Sequence, residues 1–207
     1  MKVLLINGSP HKSGSTYTAL SEIEKELNKA NIETEIFHIG NKPIRGCIAC
    51  KRCENNRCVF NDDITNAILE KCESVDGLIV GSPVYYSSPN GTLIAMLDRM
   101  FYAGNKVLQY KPAAAIVSAR RAGTTASFDV LNKYFTISNM PVVSSQYWSM
   151  IHGNNAEEAK EDLEGMQIMR ILGKNMAWLL KCIEAGKEKG INIPQRDEAR
   201  EFTNFIR

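Results

Sequence analysis

Two stretches carry residue types that could do chemistry. The first is Gly46-Cys47-Ile48-Ala49-Cys50-Lys51-Arg52-Cys53-Glu54-Asn55-Asn56-Arg57-Cys58, four cysteines spaced C-x2-C-x2-C-x4-C. A chain folded back over so few residues can point Cys47, Cys50, Cys53 and Cys58 at one centre, which suits a cubane iron-sulfur cluster better than two separated zinc knuckles. Zinc and free redox-active thiols remain as alternatives. Arg45, Lys51, Arg52 and Arg57 surround the cysteines, and cations there are expected to lower thiolate pKa values and offset the charge of a cysteine-ligated cluster. Cys72 and Cys182 fall in helical patterns and read as small core residues.

The second stretch is Asn7-Gly8-Ser9-Pro10-His11-Lys12-Ser13-Gly14-Ser15-Thr16, directly after the apolar run Val3-Leu4-Leu5-Ile6. Such a run reads as a buried parallel strand. The glycines let the backbone approach a ligand, and Ser9, Ser13, Ser15 and Thr16 bring hydroxyls to the free N–H groups of a starting helix. That combination suits a phosphate. Five residues between the glycines and no Lys-Ser/Thr after Gly14 exclude a nucleotide-triphosphate loop, and the dinucleotide spacing G-x-G-x-x-G is absent. Few charges and many hydroxyls fit a phosphate monoester, with Lys12 the one cation and His11 within reach. His38 and His152 are isolated and read as surface or core histidines.

The elements that must position these loops alternate. A helix is expected over Tyr17 to Ala30, with Leu20, Ile23 and Leu27 on one face, then a strand near an edge at Thr34 to Ile39. A helix begins at Asp62-Asp63, and Leu78-Ile79-Val80 is the next buried strand, running into Gly81-Ser82-Pro83-Val84-Tyr85-Tyr86 and a helix with Leu93, Ile94, Met96 and Leu97. Ala113 to Val117 forms a fourth strand, followed by a loop from Ser118 to Thr125 and a helix to about Ile137. A fifth strand starts at Pro141-Val142-Val143 and continues towards Tyr147-Trp148. Ala156 to Ala185 is helical, with a break expected near Gly165 or Gly173, and its methionines read as packing. Strand-helix alternation of this kind gives a parallel sheet with helices on both faces, and ligands bind beyond the carboxyl ends of its strands.

With 207 residues, 44% of them hydrophobic, and a formal charge of +2, the chain has the size of one α/β domain and no large basic face, so no nucleic-acid or membrane partner is expected. Met1-Lys2-Val3 leads straight into a strand and no long apolar run follows, so the expected location is cytoplasmic, where six cysteines do not form a disulfide framework.

The loops together resemble the flavodoxin-like NAD(P)H-dependent FMN reductase family, and within it the iron-sulfur flavoproteins, whose compact cysteine pattern is that of Cys47 to Cys58. Gly-Ser-Pro-x-x-x-Gly-Ser-Thr is similar to that family's FMN phosphate loop, with Ser15 where many relatives carry Asn. Gly81-Ser82-Pro83-Val84-Tyr85, followed by Gly91 and Leu97-Asp98-Arg99, is similar to its flavin-flanking segment. The resemblance implies a flavodoxin-like three-layer α/β sandwich with a five-stranded parallel sheet over residues 1–190, a cysteine-rich insertion at 43–60, and a C-terminal tail at 191–207. It implies noncovalent FMN, with its phosphate on Ser9, Lys12, Ser15 and Thr16, its ring along Pro83, Val84, Tyr85 and Tyr86, and the loop of Ser118, Arg120, Gly123 and Thr124 over the pyrimidine. NAD(P)H or ferredoxin would be the donor and a small oxidised molecule such as a quinone or flavin the acceptor, in a homodimer or homotetramer. The rival function is an electron carrier between proteins. No dedicated catalytic acid or base is expected, because hydride transfer to a flavin needs alignment rather than proton transfer.

Overall fold

The computed structural model describes residues 1–195 and 197–203. Residues 196 and 204–207 of the expected tail lie outside them. Parallel strands β1 (Lys2–Asn7), β2 (Glu33–His38), β3 (Gly77–Tyr85), β5 (Ala113–Ala119) and β6 (Met150–His152) form a sheet of order β2-β1-β3-β5-β6, and the two-residue β4 (Ser88–Pro89) folds back antiparallel on the end of β3. Strand order reverses after β1, so the carboxyl ends of β1 and β3 flank the switch point where α/β sheets bind ligands.

Successive side chains of β1 go to opposite faces, as a pleated strand requires. Val3 and Leu5 pack with α1 (Ser15–Lys29), α5 (Ala156–Glu161) and α6 (Leu163–Glu188), whereas Leu4 and Ile6 pack with α2 (Thr65–Glu73), α3 (Gly91–Leu108) and α4 (Thr124–Ile137). The three layers and a sheet of five parallel strands are as expected, and β2 is at an edge. No helix among the described residues is long and apolar enough to cross a membrane.

Two elements differ from the sequence reading. The fifth strand is not continuous from Pro141 to Trp148. Val143 N donates to Ala113 O at 2.8 Å, the chain then leaves the sheet, and it pairs again only at β6, where Val117 faces Met150. The intervening residues find partners on α6 instead: Ser145 Oγ donates to Ile168 O (2.7 Å) and Asn175 Nδ2 to Ser144 O (2.8 Å). The rings of Tyr147 and Trp148 meet at a tilt of 56° with centroids 5.0 Å apart, both exposed, rather than covering the sheet.

The long helix breaks at Asp162 and at neither glycine. Its carboxylate caps α6 by accepting from Gly165 N (2.9 Å) and also takes His152 N (2.7 Å), joining the break to β6. Gly173 instead allows a close helix crossing, since a Cβ there would stand 2.9 Å from Glu26 Cβ and 3.0 Å from Ile23 O of α1. Replacing Gly173 by Ala is therefore expected to push α1 and α6 apart and to cost about 1–3 kcal/mol, the range for overpacking, measured as a lower urea midpoint.

Candidate functional site

The site begins where β1 ends beside Gly81 of β3. Gly8 N donates to Gly81 O at 2.8 Å, and a Cβ on Gly8 would fall 2.6 Å from that oxygen and 2.5 Å from Leu93 Cδ2. Asn90, which caps α3 through Thr92 N, also donates to Gly8 O at 2.8 Å. Above this floor the first loop holds its own shape. Asn7 Oδ1 accepts from Ser9 N (3.1 Å), Ser9 Oγ accepts from His11 N (3.1 Å), and Asn7 Nδ2 donates to Lys12 O (3.2 Å). His38 reaches in from β2, its Nε2 lying 2.9 Å from Ser9 O. Sequence reasoning gave His38 no such part.

The result is a cleft of about 690 Å³. Of the residues expected there, Ser9, His11, Ser13, Ser15 and Thr16 line it from the first loop, Pro83, Val84 and Tyr85 from the second, and Ser118 and Arg120 from the third. Thr16 and Ser118 share a hydrogen bond of 2.8 Å across the buried base. Lys12, Tyr86, Gly123 and Thr124 stand outside this lining. Tyr86 is fully exposed at the tip of the β3–β4 hairpin, with φ +52°, and Ser87 beside it has φ +57°. Gly123, at φ +91°, precedes α4 and packs on that tip: a Cβ there would stand 2.8 Å from Ser87 Cα. Thr124 is buried at the start of α4.

The segment Gly153 to Glu157 forms a further wall that the sequence reading missed. It follows β6, so the rule that placed the other loops at the carboxyl edge would have found it had the strand been ended at His152. Ser15 Oγ donates to Asn155 O (2.9 Å) and Gly153 O (3.3 Å), so this hydroxyl braces the wall. No side chain caps α1, leaving first-turn N–H groups to meet an anion from the cleft. Neutral hydroxyls, helix amides and Arg120 suit a phosphate, and Pro83 to Tyr85 offer a flat apolar wall for a ring.

The cysteine loop lies along α3. Cys47, Cys50, Cys53 and Cys58 converge on one void of about 10 Å³, bordered also by Phe60, Arg99 and Tyr102. Asn55 and Asn56 take left-handed φ values of +51° and +58° in a tight turn closed by Glu54 and Arg57, which brings Cys53 towards Cys58. Asn66 of α2 clamps Cys58, its Oδ1 accepting from Cys58 N and its Nδ2 donating to Cys58 O, both at 2.9 Å. Burial, and next the neighbouring Cys58, Cys50 and Cys47, push the Cys53 thiol above its usual value. For Cys53 this runs opposite to the expectation that local cations lower the thiolates.

Two of those cations are engaged elsewhere. Arg45 stacks over Phe60 at 4.3 Å and faces Asp62 at 3.6 Å, and Arg57 pairs with Glu73 at 2.8 Å. The cation that reaches sulfur is Arg99, whose Nε donates to Cys58 Sγ at 3.3 Å. Its signal in the sequence is a charge three residues after Met96, on the buried stripe of α3. Among the described residues, no three His, Cys, Asp or Glu side chains stand close enough to hold a single metal ion. The donor set is nonetheless four cysteine sulfurs around one void, the chemistry that both zinc and iron-sulfur groups take.

Of the remaining cysteines, Cys72 is in the core as expected, but Cys182 is exposed on α6, contrary to the sequence reading. Burial pushes the Cys72 thiol up to about 12. Ellman's reagent at about pH 8 should therefore label Cys182 quickly and Cys72 only on unfolding. Because the unfolded thiol ionises near about 8.5, the Cys72 contribution to stability should fall as pH rises above that value, measurable by urea titration of wild type against Cys72→Ala.

The sequence pattern of the family described as NADPH-dependent FMN reductase matches residues 1–155. An iron-sulfur flavoprotein of Methanocaldococcus jannaschii is 32% identical over 196 residues, covering 89% of this chain and 100% of the relative. Among solved structures, RosB with a bound intermediate superposes with a TM-score of 0.71 at 15% identity over 100% of this chain and 92% of the other. A flavodoxin from the domain Archaea superposes with a TM-score of 0.62 at 16% identity, over 87% and 99%. The chain belongs to the NADPH-dependent FMN reductase family of oxidoreductases, near its iron-sulfur flavoproteins, and its fold is flavodoxin-like.

Proposed function

We propose that the protein is an FMN-dependent oxidoreductase that takes electrons from NAD(P)H or a ferredoxin and passes them through FMN to a small oxidised acceptor such as a quinone or another flavin. The observation that carries this reading is the cleft at the β1/β3 switch point, whose volume of about 690 Å³ lies within the ordinary range for cofactor sites. Bound FMN supplies hydride and single-electron chemistry. The chain supplies the rest. Ser9, Thr16 and the uncapped amides of α1 hold the phosphate, with Lys12 adding charge from the rim. Pro83, Val84 and Tyr85 orient the ring, and the loop of Ser118 and Arg120 closes over the pyrimidine side. One phosphate pocket at one helix start leaves nothing to hold a pyrophosphate and adenosine, so FMN is preferred over FAD.

Cys47, Cys50, Cys53 and Cys58 hold a [4Fe-4S] cluster, which supplies one-electron chemistry when present. The convergence of the four sulfurs supports this. A second reading, an electron carrier between protein partners, is favoured by one feature: α3 runs from Asn90 at the cleft floor to Arg99 at the cysteine void, a helix path of about 13 Å. Exposed Leu163 and Trp178 of α6 and Ile191 and Ile193 of the tail support assembly as a homodimer or homotetramer, with the cleft mouth near a subunit contact.

Anaerobically purified protein is expected to be yellow, to release FMN and not FAD, and to contain iron and sulfide at about four per chain. A colourless protein that ignores added FMN would remove the reading. Ser9→Ala and Thr16→Ala should each weaken FMN binding by about 1 kcal/mol or somewhat more, seen by fluorescence titration. Rapid NAD(P)H oxidation with a quinone, and none with ferredoxin as donor, would eliminate the carrier.

A further inference from the structure

Arg99 is 1% exposed, deep in α3, and its guanidinium is shared between the cysteine loop and Asp63. Nε donates to Cys58 Sγ (3.3 Å), Nη1 to Arg45 O (3.2 Å) and to Asp63 Oδ2, and Nη2 to Phe60 O (2.9 Å). Arg45 precedes the first of the four cysteines and Phe60 follows the last, so one planar group ties both arms of the loop to a core helix. Asp63, with its side chain 6% exposed, balances the charge from the far side while Nε faces sulfur.

We propose that Arg99 is the positioning residue of the four-cysteine site: it fixes Cys58 as the anchored sulfur and sets a buried positive charge beside it that raises the reduction potential of the group the cysteines hold. This rests on the reading that the site carries a cluster. The anchoring half follows from geometry, because Cys58 is 7% exposed whereas Cys47 is open to solvent. The potential half follows from charge. Reduction by one electron forms and breaks no bond but adds negative charge next to the guanidinium, in a buried setting where such attraction is strong. A hydrogen bond to a ligating sulfur acts in the same direction. Lys51 also borders the void, but it is exposed, so solvent and salt screen it.

The test compares anaerobically reconstituted holoprotein of wild type, R99Q, R99K, D63N and K51Q, each confirmed as folded by circular dichroism, in dithionite titrations. R99Q is expected to make one-electron reduction about tenfold less favourable, a shift of about 59 mV to lower potential. D63N, which removes the balancing negative charge, should shift it upward. R99K retains the charge and should recover most of the loss, and K51Q should leave the potential in place. A role that is structural alone would not give shifts of opposite sign for the two partners of one ion pair.

Metal-free protein provides the independent arm. With iodoacetamide and peptide mass mapping, wild-type Cys47 should react well ahead of Cys58, and R99Q and R99K, which lack the fork, should bring Cys58 to the Cys47 rate. Unchanged potentials in R99Q and D63N would overturn the claim about potential, and unchanged Cys58 protection would overturn the anchoring. Should R99Q fail to fold, R99K and D63N decide both questions. Wild-type protein that takes up no iron would overturn the cluster reading and the potential claim with it, and alkylation would still decide whether Arg99 anchors Cys58.

Discussion

The constraint on which the cleft depends is the backbone contact between Gly8, just past the end of β1, and Gly81 of β3. With the Gly8 amide 2.8 Å from Gly81 O and Leu93 pressed against Gly8, there is no room for a side chain at Gly8. A Cβ on Gly81 would stand 2.9 Å from Thr16 Cγ2 and 3.0 Å from Ile116 Cδ1. One pair of glycines therefore lets β1, α1, β3, α3 and β5 meet within a few ångströms. The cleft exists because the strand ends approach this closely while the loops that leave them diverge. Its floor is set by backbone geometry, and the hydroxyls above it are free to be chosen for a ligand.

The cysteine loop rests on a different support. It has almost no regular structure, so its shape is over-determined from outside by Asn66 of α2 and Arg99 of α3. Burying Arg99 is tolerable because Asp63 neutralises it, and burial that opposes the charge on Asp63 is outweighed by the Thr65 amide and then Arg99, which hold its pKa below the usual carboxylate range. Such a pair adds little net stability, but losing either partner strands a charge and costs about 3–5 kcal/mol. The pair is better understood as specifying one arrangement of the loop than as holding the domain together. Because Asn90 starts the same helix that carries Arg99, one rigid element registers the cleft against the cysteines.

The layers and the strand order of this fold were legible because buried parallel strands are short apolar runs, as at Val3 to Ile6, Leu78 to Val80 and Ala113 to Val117. The loops after them were legible because glycines and hydroxyls after such runs have few structural uses. What misled was propensity without context. Val142-Val143 and Tyr147-Trp148 are good strand residues, yet between them the Ser144 carbonyl and the Ser145 hydroxyl bond to α6, a long-range event that periodicity does not encode. Gly165 and Gly173 look like helix breakers, yet the first makes room for the Asp162 cap and the second for a helix crossing. Arg45 and Arg57 are near the cysteines in sequence but turn to Asp62 and Glu73. Arg99, forty residues from the loop's end, turns to them instead.

Backbone strain shows where the structure has been made to serve the sites. Asn31, Tyr110 and Asn139 take positive φ just past helix ends, where a left-handed residue closes a helix in the ordinary way. Ala49 and Lys51, at φ +51° and +56°, bracket Cys50, and Tyr86 and Ser87 form the hairpin tip at the cleft. None of these four residues favours that region, and each costs about 1–3 kcal/mol there. The cost is sustained because neighbours leave no relaxed alternative: Gly123 packs directly against Ser87, and the Arg99 and Asn66 clasps hold the flanks of the cysteine segment. Ordinary side chains held in left-handed conformations at both loops, and otherwise only at helix ends and in the Asn55-Asn56 turn among the described residues, point to geometry selected for what the loops hold rather than for the ease of folding them.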